Sequence, residues 1–216
     1  EKKFKIKSID KKTRIIDDSY GVIYGDSNTW AMLRLPKFKF RPKHNDVLHL
    51  DIWYKGKNIL CDSGSYSYYS NYGEKFKSIN FHNTLSFDKK DQMPRFSKFL
   101  LKNWINSDDI ELLNSKSIRS SYVDYRKNFH NRSVKYIKKL WSIKDTFTSN
   151  VGAVEIIWNL NEEIKNYFLT KKFIETDLMI MKFKHIETFS IENSNISEYY
   201  NSLTPNIKVR LNPGKY

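Results

Sequence analysis

The 216-residue sequence predicts an all-β fold, a large antiparallel β-sandwich, and three observations carry that prediction. Apolar residues recur with a period of two far more often than with the helical period of about 3.6. The apolar positions are crowded with Ile, Tyr, Phe, Val, Thr and Trp, which fit a pleated, half-buried surface. Short clusters of Asn, Asp, Ser, Lys and Gly, which accept turn dihedrals, separate the runs. In chain order, an alternating run from Phe4 to Ile9 comes first. Strands follow at Trp30 to Leu35, Val47 to Tyr54, Asn58 to Cys61, Asn83 to Asp88, Ser133 to Trp141, Val154 to Leu160, Leu178 to Phe183 and Ile207 to Leu211. The polar stretch from Asn103 to Asp124 reads as a long hairpin, a short helix or a loop. With only 7 Gly and 5 Pro, Asn and Asp are expected to supply many left-handed turn positions. No internal repeat, heptad run or low-complexity linker divides the chain, so residues 1–216 are read as one domain.

Composition narrows the function. Lys and Arg number 38 against 24 Asp and Glu, a net charge of +14, while 39% hydrophobic and 15% aromatic residues exclude a disordered basic tail. A single cysteine excludes an internal disulfide framework and an all-thiolate zinc site. No apolar run approaches the roughly 20 residues of a membrane-spanning helix, and the chain opens at Glu1 as an excised C-terminal portion would. The charge attracts polyanions in general, but no nucleic-acid recognition motif accompanies it, so nucleic acid is not an expected partner.

The informative stretch runs from Arg41 to Leu101. Alternation from Val47 to Trp53 puts Leu48, Leu50 and Ile52 on a core face, and Val47, His49, Asp51 and Trp53 on a face suited to a cleft or a second layer. A hairpin turn at Tyr54-Lys55-Gly56-Lys57 sends the partner strand back to deliver Asp62-Ser63-Gly64 near the start of the first strand, so His44 and Asp62 are predicted to meet. His82 sits at the mouth of the next strand. Two imidazoles and a carboxylate suit zinc or another divalent ion, and a hydrogen-bonded polar loop network is the alternative. His49 and Asp51 are either outer partners of such a site or an ordinary polar strand face. Cys61 is expected to be a buried thiol, and His130 and His185 to be structural or exposed. Tyr66, Tyr68, Tyr69 and Tyr72 form an aromatic loop that suits either sugar contact or packing on the sandwich. Arg95 suits either a bidentate pair with a substrate carboxylate or the bracing of its own turn.

Four motifs in register resemble the heparinase II/III-like family: His44 to Trp53, Cys61-Asp62-Ser63-Gly64-Ser65-Tyr66-Ser67-Tyr68, Phe81-His82-Asn83-Thr84-Leu85 and Asp91-Gln92-Met93-Pro94-Arg95. His130-Asn131-Arg132-Ser133-Val134 and Trp141 to Asp145 are similar to it more loosely. The resemblance implies the C-terminal β-sandwich of a polysaccharide lyase, with an N-terminal (α/α) toroid expected upstream as its partner. It implies an acidic, uronate-containing polysaccharide as substrate and β-elimination as the reaction. It also implies His44, Asp62 and His82 as metal ligands and His82 as a catalytic contributor; beside these, Tyr68 of the aromatic loop and Arg95 are the candidate substrate contacts. Many members carry a His-x-His-Ala-Asp run where this chain has Lys43-His44-Asn45-Asp46, so one imidazole is absent. The alternative is a non-catalytic carbohydrate-binding or architectural sandwich.

Overall fold

A computed structural model describes residues 11–214 other than 18, 68, 162–163 and 169–171, with residues 164–168 described as backbone. The first strands are β1 (Arg14–Ile16), β2 (Tyr20–Tyr24), β3 (Thr29–Arg34), β4 (Leu50–Tyr54) and β5 (Lys57–Leu60). Helix α1 (Asn71–Phe76) and a 3-10 turn (Ile79–Phe81) lead to β6 (Leu85–Phe87), β7 (Arg95–Ser97) and β8 (Leu100–Leu101). Two long hairpins follow, β9 (Asp108–Asn114) with β10 (Ser117–Val123) and β11 (Phe129–Ile137) with β12 (Leu140–Thr148). The chain then forms β13 (Val154–Leu160), β14 (Ile164–Phe168), β15 (Phe173–Thr176), β16 (Ile180–Lys182), β17 (Thr188–Ile196) and β18 (Thr204–Asn212).

The main antiparallel sheet runs β1-β2-β3-β4-β5-β13-β18-β17, with β6 also paired to β13, and a second sheet runs β12-β11-β10-β9. Alternation on β3 buries Thr29, Ala31 and Leu33 and leaves Trp30, Met32 and Arg34 partly open on the other face. Ile23, Leu33 and Leu50 share one core with Ile118, Tyr122 and Val134 of the second sheet, and each such side chain contributes roughly 1.5–3 kcal/mol by leaving water. The two sheets approach closely at Gly21, where a Cβ would stand 2.6 Å from Ile118. The opposite face of the main sheet carries the Trp30–Trp53 stack, with ring centroids 5.4 Å apart, and forms the cleft wall described below.

Several sequence expectations are corrected. Ser133 to Trp141 is not one strand: Lys138 and Lys139, with φ of 49° and 64°, turn the chain between β11 and β12. A two-residue hairpin turn needs two left-handed residues, and lysines give none of the usual Asn-Gly signal. Lys55, Lys89, Lys127 and Lys172 are also left-handed, so lysine shares that task with Asn and Asp. The strand expected from Val47 begins at Leu50, because Leu48 is left-handed (φ 59°) and His49 N–H closes a turn onto the Asp46 carbonyl at 3.0 Å. Among the alternatives for Asn103 to Asp124, the β9–β10 hairpin is the one observed. The run from Phe4 to Ile9 lies outside the described residues. No helix among the described residues is long and apolar enough to cross a membrane.

Candidate functional site

Three loops converge where β4 starts and β5 ends. The β4–β5 hairpin turns at Lys55 and Gly56, both left-handed, and returns Asp62 beside the start of β4. Asp62 is followed by Gly64 (φ 75°), which bridges to Ser197 so closely that a Cβ would strike the Ser197 carbonyl. The Gly64 N–H donates to Asp62 Oδ1 at 2.6 Å and fixes one side of the carboxylate. His82 ends the 3-10 turn, its N–H donating to the Ile79 carbonyl at 3.2 Å, and its Nδ1 stands 2.9 Å from Asp62 Oδ2. His44 arrives from the loop after β3, its ring centroid 5.3 Å from that of His82. One nitrogen each from His44 and His82 and one oxygen from Asp62 lie within 4.8 Å of one another.

The electrostatics of this trio are mutual. Burial works against the charge on Asp62, but His82, His49 and His44 around it hold its carboxyl well below the usual carboxylate range. Burial and the neighbouring His82 push His44 down to about 4, so its imidazole is neutral at physiological pH. Neutral imidazole nitrogen with carboxylate oxygen is the donor set that zinc-like ions take, and the residues fit such an ion.

Above the trio lies a cleft of about 630 Å³ with His44, His49, Asp51 and Asp62 in its floor. His82 is fully buried and not part of the cleft wall, so a molecule in the cleft meets His44 and Asp62 and reaches His82 only through them. One rim is the segment Lys37-Phe38-Lys39-Phe40-Arg41-Pro42-Lys43, in which Lys37, Lys39, Arg41 and Lys43 are exposed and Phe40 is 85% exposed. This alternation of cations and rings was legible in the sequence but submerged in the overall charge excess. Arg34 of β3 also lines the cleft, held between Tyr20 and Phe38 and 3.3 Å from Asp46.

Other predicted residues fall elsewhere. Arg95 is taken up by Glu74 at 2.9 Å and by the Lys98 carbonyl at 3.2 Å, outside the cleft lining, in the turn-bracing role. Tyr68 lies outside the described residues. Tyr66 packs edge-on to Tyr72 at 5.6 Å, while Tyr69 is 88% exposed. Cys61 is buried, with Sγ 3.7 Å from the Asn159 carbonyl, and burial raises its pKa well above the ordinary thiol value. His185 is exposed.

Residues flanking the ionisable ones carry the scaffold. Asn83 donates through Nδ2 to the Leu50 and Cys61 carbonyls at 2.9 and 3.1 Å and accepts the Asn159 N–H on Oδ1 at 2.6 Å, tying β4, β5 and β13 together behind His82. Gln92 accepts the Val47 N–H at 2.9 Å and donates to its carbonyl at 3.0 Å, and Met93 N–H donates to Asn45 at 2.7 Å. Arg132 of β11 reaches across from the second sheet to the Leu48 and Asn83 carbonyls at 2.8 and 2.5 Å. Its other nitrogens grip Asp145 at 2.7 and 3.1 Å, and His130 Nε2 completes that cluster at 2.8 Å.

A model of the heparinase II/III-like C-terminal domain matches residues 25–215. The chain belongs to the heparinase II/III-like family. Among solved structures it is similar to a heparinase III (TM-score 0.77, 17% identity, 94% of this chain and 33% of that one). A second heparinase III gives 0.75 at 18% identity over 97% and 35%. A heparan sulfate lyase from Pedobacter heparinus gives 0.70 at 18% over 91% and 33%. At such identities the likeness concerns the fold, and the chain spans about a third of the length of these structures. No curated protein sequence matches. The chain is thus an antiparallel sandwich of the heparinase II/III-like C-terminal type, as the sequence motifs implied.

Proposed function

We propose that this heparinase II/III-like domain forms one wall of the active cleft of a lyase that cleaves an acidic, uronate-containing polysaccharide by β-elimination, the remainder being supplied by an N-terminal toroid of the same protein. The observation that carries this reading is the coincidence, at one cleft, of His44 and Asp62, the two accessible members of the trio, with the exposed cationic rim from Lys37 to Lys43. In β-elimination a base removes the weakly acidic proton beside the sugar carboxylate, and an acid protonates the departing glycosidic oxygen. Negative charge develops next to a carboxylate that is already anionic, so fixed positive charge is what the wall must contribute.

In this reading the rim cations neutralise the carboxylates of the bound glycan, and the exposed Phe40 ring packs on a sugar face. His44, Asp62 and His82 would hold a divalent ion. Such an ion supplies positive charge that pins the three loops and, within reach of the substrate, strengthens carboxylate neutralisation. His82 contributes through Asp62, since it is buried behind it.

The test is the full-length protein offered a panel of uronate polysaccharides, with the ultraviolet absorbance of the unsaturated product as readout. Rising absorbance that His82→Ala lowers supports the reading. A second reading, a glycan-binding wall without catalysis, is favoured by the absent imidazole of the His-x-His run, replaced here around Lys43-His44. Glycan affinity without any absorbance change across the panel selects that second reading.

A further inference from the structure

His49 belongs to none of the three ligands, yet its ring is the most tightly oriented in the site. Its main chain is pinned on both sides, the N–H on the Asp46 carbonyl at 3.0 Å and the carbonyl accepting the Arg34 N–H at 2.8 Å. The left-handed Leu48 before it breaks the strand and sets the point from which β4 starts. The ring is edge-on to His82, with centroids 5.4 Å apart.

The tautomer follows from one contact. Asn83 N–H donates to His49 Nδ1 at 2.7 Å, so Nδ1 presents a lone pair and the ring proton sits on Nε2. That Nε2 is hydrogen-bonded to Asp51 Oδ1 at 3.2 Å and stands 3.6 Å from Asp62 Oδ2, a longer electrostatic contact. The Asn83 N–H keeps Nδ1 an acceptor, so Nε2 is the donor nitrogen of the ring. Both nitrogens are therefore engaged, which rules His49 out as a free general base in this arrangement.

We propose that His49 is a positioning residue for Asp62: its Nε2, hydrogen-bonded to Asp51 and 3.6 Å from Asp62 Oδ2, turns the positive edge of the imidazole toward the oxygen that His82 also contacts, and thereby tightens the hold of the trio on a divalent cation. Asp62 is hydrogen-bonded at one oxygen to the Gly64 N–H and at the other to His82, with His49 Nε2 3.6 Å from that second oxygen. A carboxylate that must both stay anionic and point at a cation gains from donors that fix its rotation. Asp51 steers the imidazole by sharing its proton, and Asn83, the scaffold residue behind His82, selects the tautomer. The inference rests on the metal reading given above.

The test is Zn²⁺ affinity of the full chain, measured by competition with a chromophoric chelator, for the wild type, His49→Leu and His49→Gln. Loss of an outer partner of this kind costs about 10- to 100-fold in metal affinity. His49→Leu is expected to weaken Zn²⁺ binding by that factor, and His49→Gln, which retains a side-chain donor, to recover most of it. A folded His49→Leu that binds Zn²⁺ as tightly as the wild type overturns the proposal and leaves the metal reading intact. A wild type that does not bind Zn²⁺ overturns both. Should His49→Leu fail to fold, nitrogen NMR of the wild-type ring decides: a proton on Nε2 whose resonance shifts on Zn²⁺ addition supports the proposal. A proton on Nδ1, or an Nε2 resonance that Zn²⁺ leaves unmoved, overturns it.

Discussion

His82 Nδ1 stands 2.9 Å from Asp62 and His130 Nε2 stands 2.8 Å from Asp145, and the two pairs differ in everything around that contact. At Asp145 an arginine takes the carboxylate through two of its nitrogens, Arg132 and His130 are fully buried, and the same arginine ties the second sheet to the Leu48 and Asn83 carbonyls. At Asp62 no arginine intervenes, three imidazoles surround the carboxylate, and its side chain keeps 35% of its exposure on a cleft floor. Both aspartates are held as anions, Asp62 chiefly by His82 and Asp145 chiefly by Arg132, in each case against the effect of burial. A fixed cation satisfies its carboxylate permanently and closes the site. Imidazoles, unlike a guanidinium, can give up a proton to an incoming metal ion, which is why the proposed cation is placed at Asp62 and not at Asp145.

The strongest way to break this contrast is through its sealed side. Arg132→Met is expected to destabilise the domain by about 3–5 kcal/mol, because it strands Asp145 as a buried charge and frees two carbonyls. Urea denaturation measures it, and a loss near 1 kcal/mol would mean that Arg132 is not the keystone between the sheets. Asp62→Asn is expected to do the reverse: Zn²⁺ affinity falls more than about 100-fold, beyond the loss of an outer partner, while stability without metal changes by about 1–2 kcal/mol. Asp145→Asn, measured in the same two assays, should lose stability and leave Zn²⁺ affinity unmoved.

Acid sharpens the comparison more gently. Burial lowers the pKa of His130, and burial with His82 lowers that of His44 to about 4. A histidine whose folded pKa is depressed takes up its proton more readily in the unfolded chain, so stability is full above the ordinary value of about 6.5 and declines as pH falls toward the folded value. For His44 that window runs from about 6.5 to about 4. Asp62 and Asp145, lowered in the fold, add a further loss beginning as pH falls through the ordinary aspartate value of about 3.9. Denaturation midpoints at stepped pH should therefore decline through both windows, and His44→Gln should flatten the upper one in part. A midpoint that rises between pH 6.5 and 4 contradicts the sign.

The smallest effect on the fold is expected at the rim. Lys39→Glu with Arg41→Glu should leave stability within about 0.5 kcal/mol, since both side chains are exposed. It should weaken binding of an acidic polysaccharide and reduce its salt dependence, read by titration at two ionic strengths. Unchanged affinity would move the glycan away from this rim.

Much of this was legible in the chain itself, for reasons that differ by residue. The β4–β5 hairpin was readable because Lys55-Gly56 is a local turn signal between two apolar runs, and its geometry alone brings Asp62 back toward His44. β13 was readable end to end, since Val154 to Leu160 is rich in the apolar β-formers Val, Ile and Trp, all of them buried. The turn at Lys138-Lys139 was not, because its left-handed lysines are imposed by the pairing of β11 with β12 and not by any preference of their own. Asn83 and Arg132 appeared as companions of motif histidines, and the structure makes them the posts on which the site stands.

The sequence by itself determined the class of fold, because the period of two is written in strands such as β3, β11 and β12 and needs no partner to be read. It also determined which three side chains were candidates for a cation, through motifs in register. What only the tertiary structure decided is which histidine does what. His44 faces the cleft, His82 lies behind Asp62, and His49 is turned by a left-handed Leu48 and by the N–H of a residue 34 positions away. Those assignments depend on hydrogen bonds between segments distant in the chain, and a bond of that kind leaves no trace in local residue pattern until the sheets have packed.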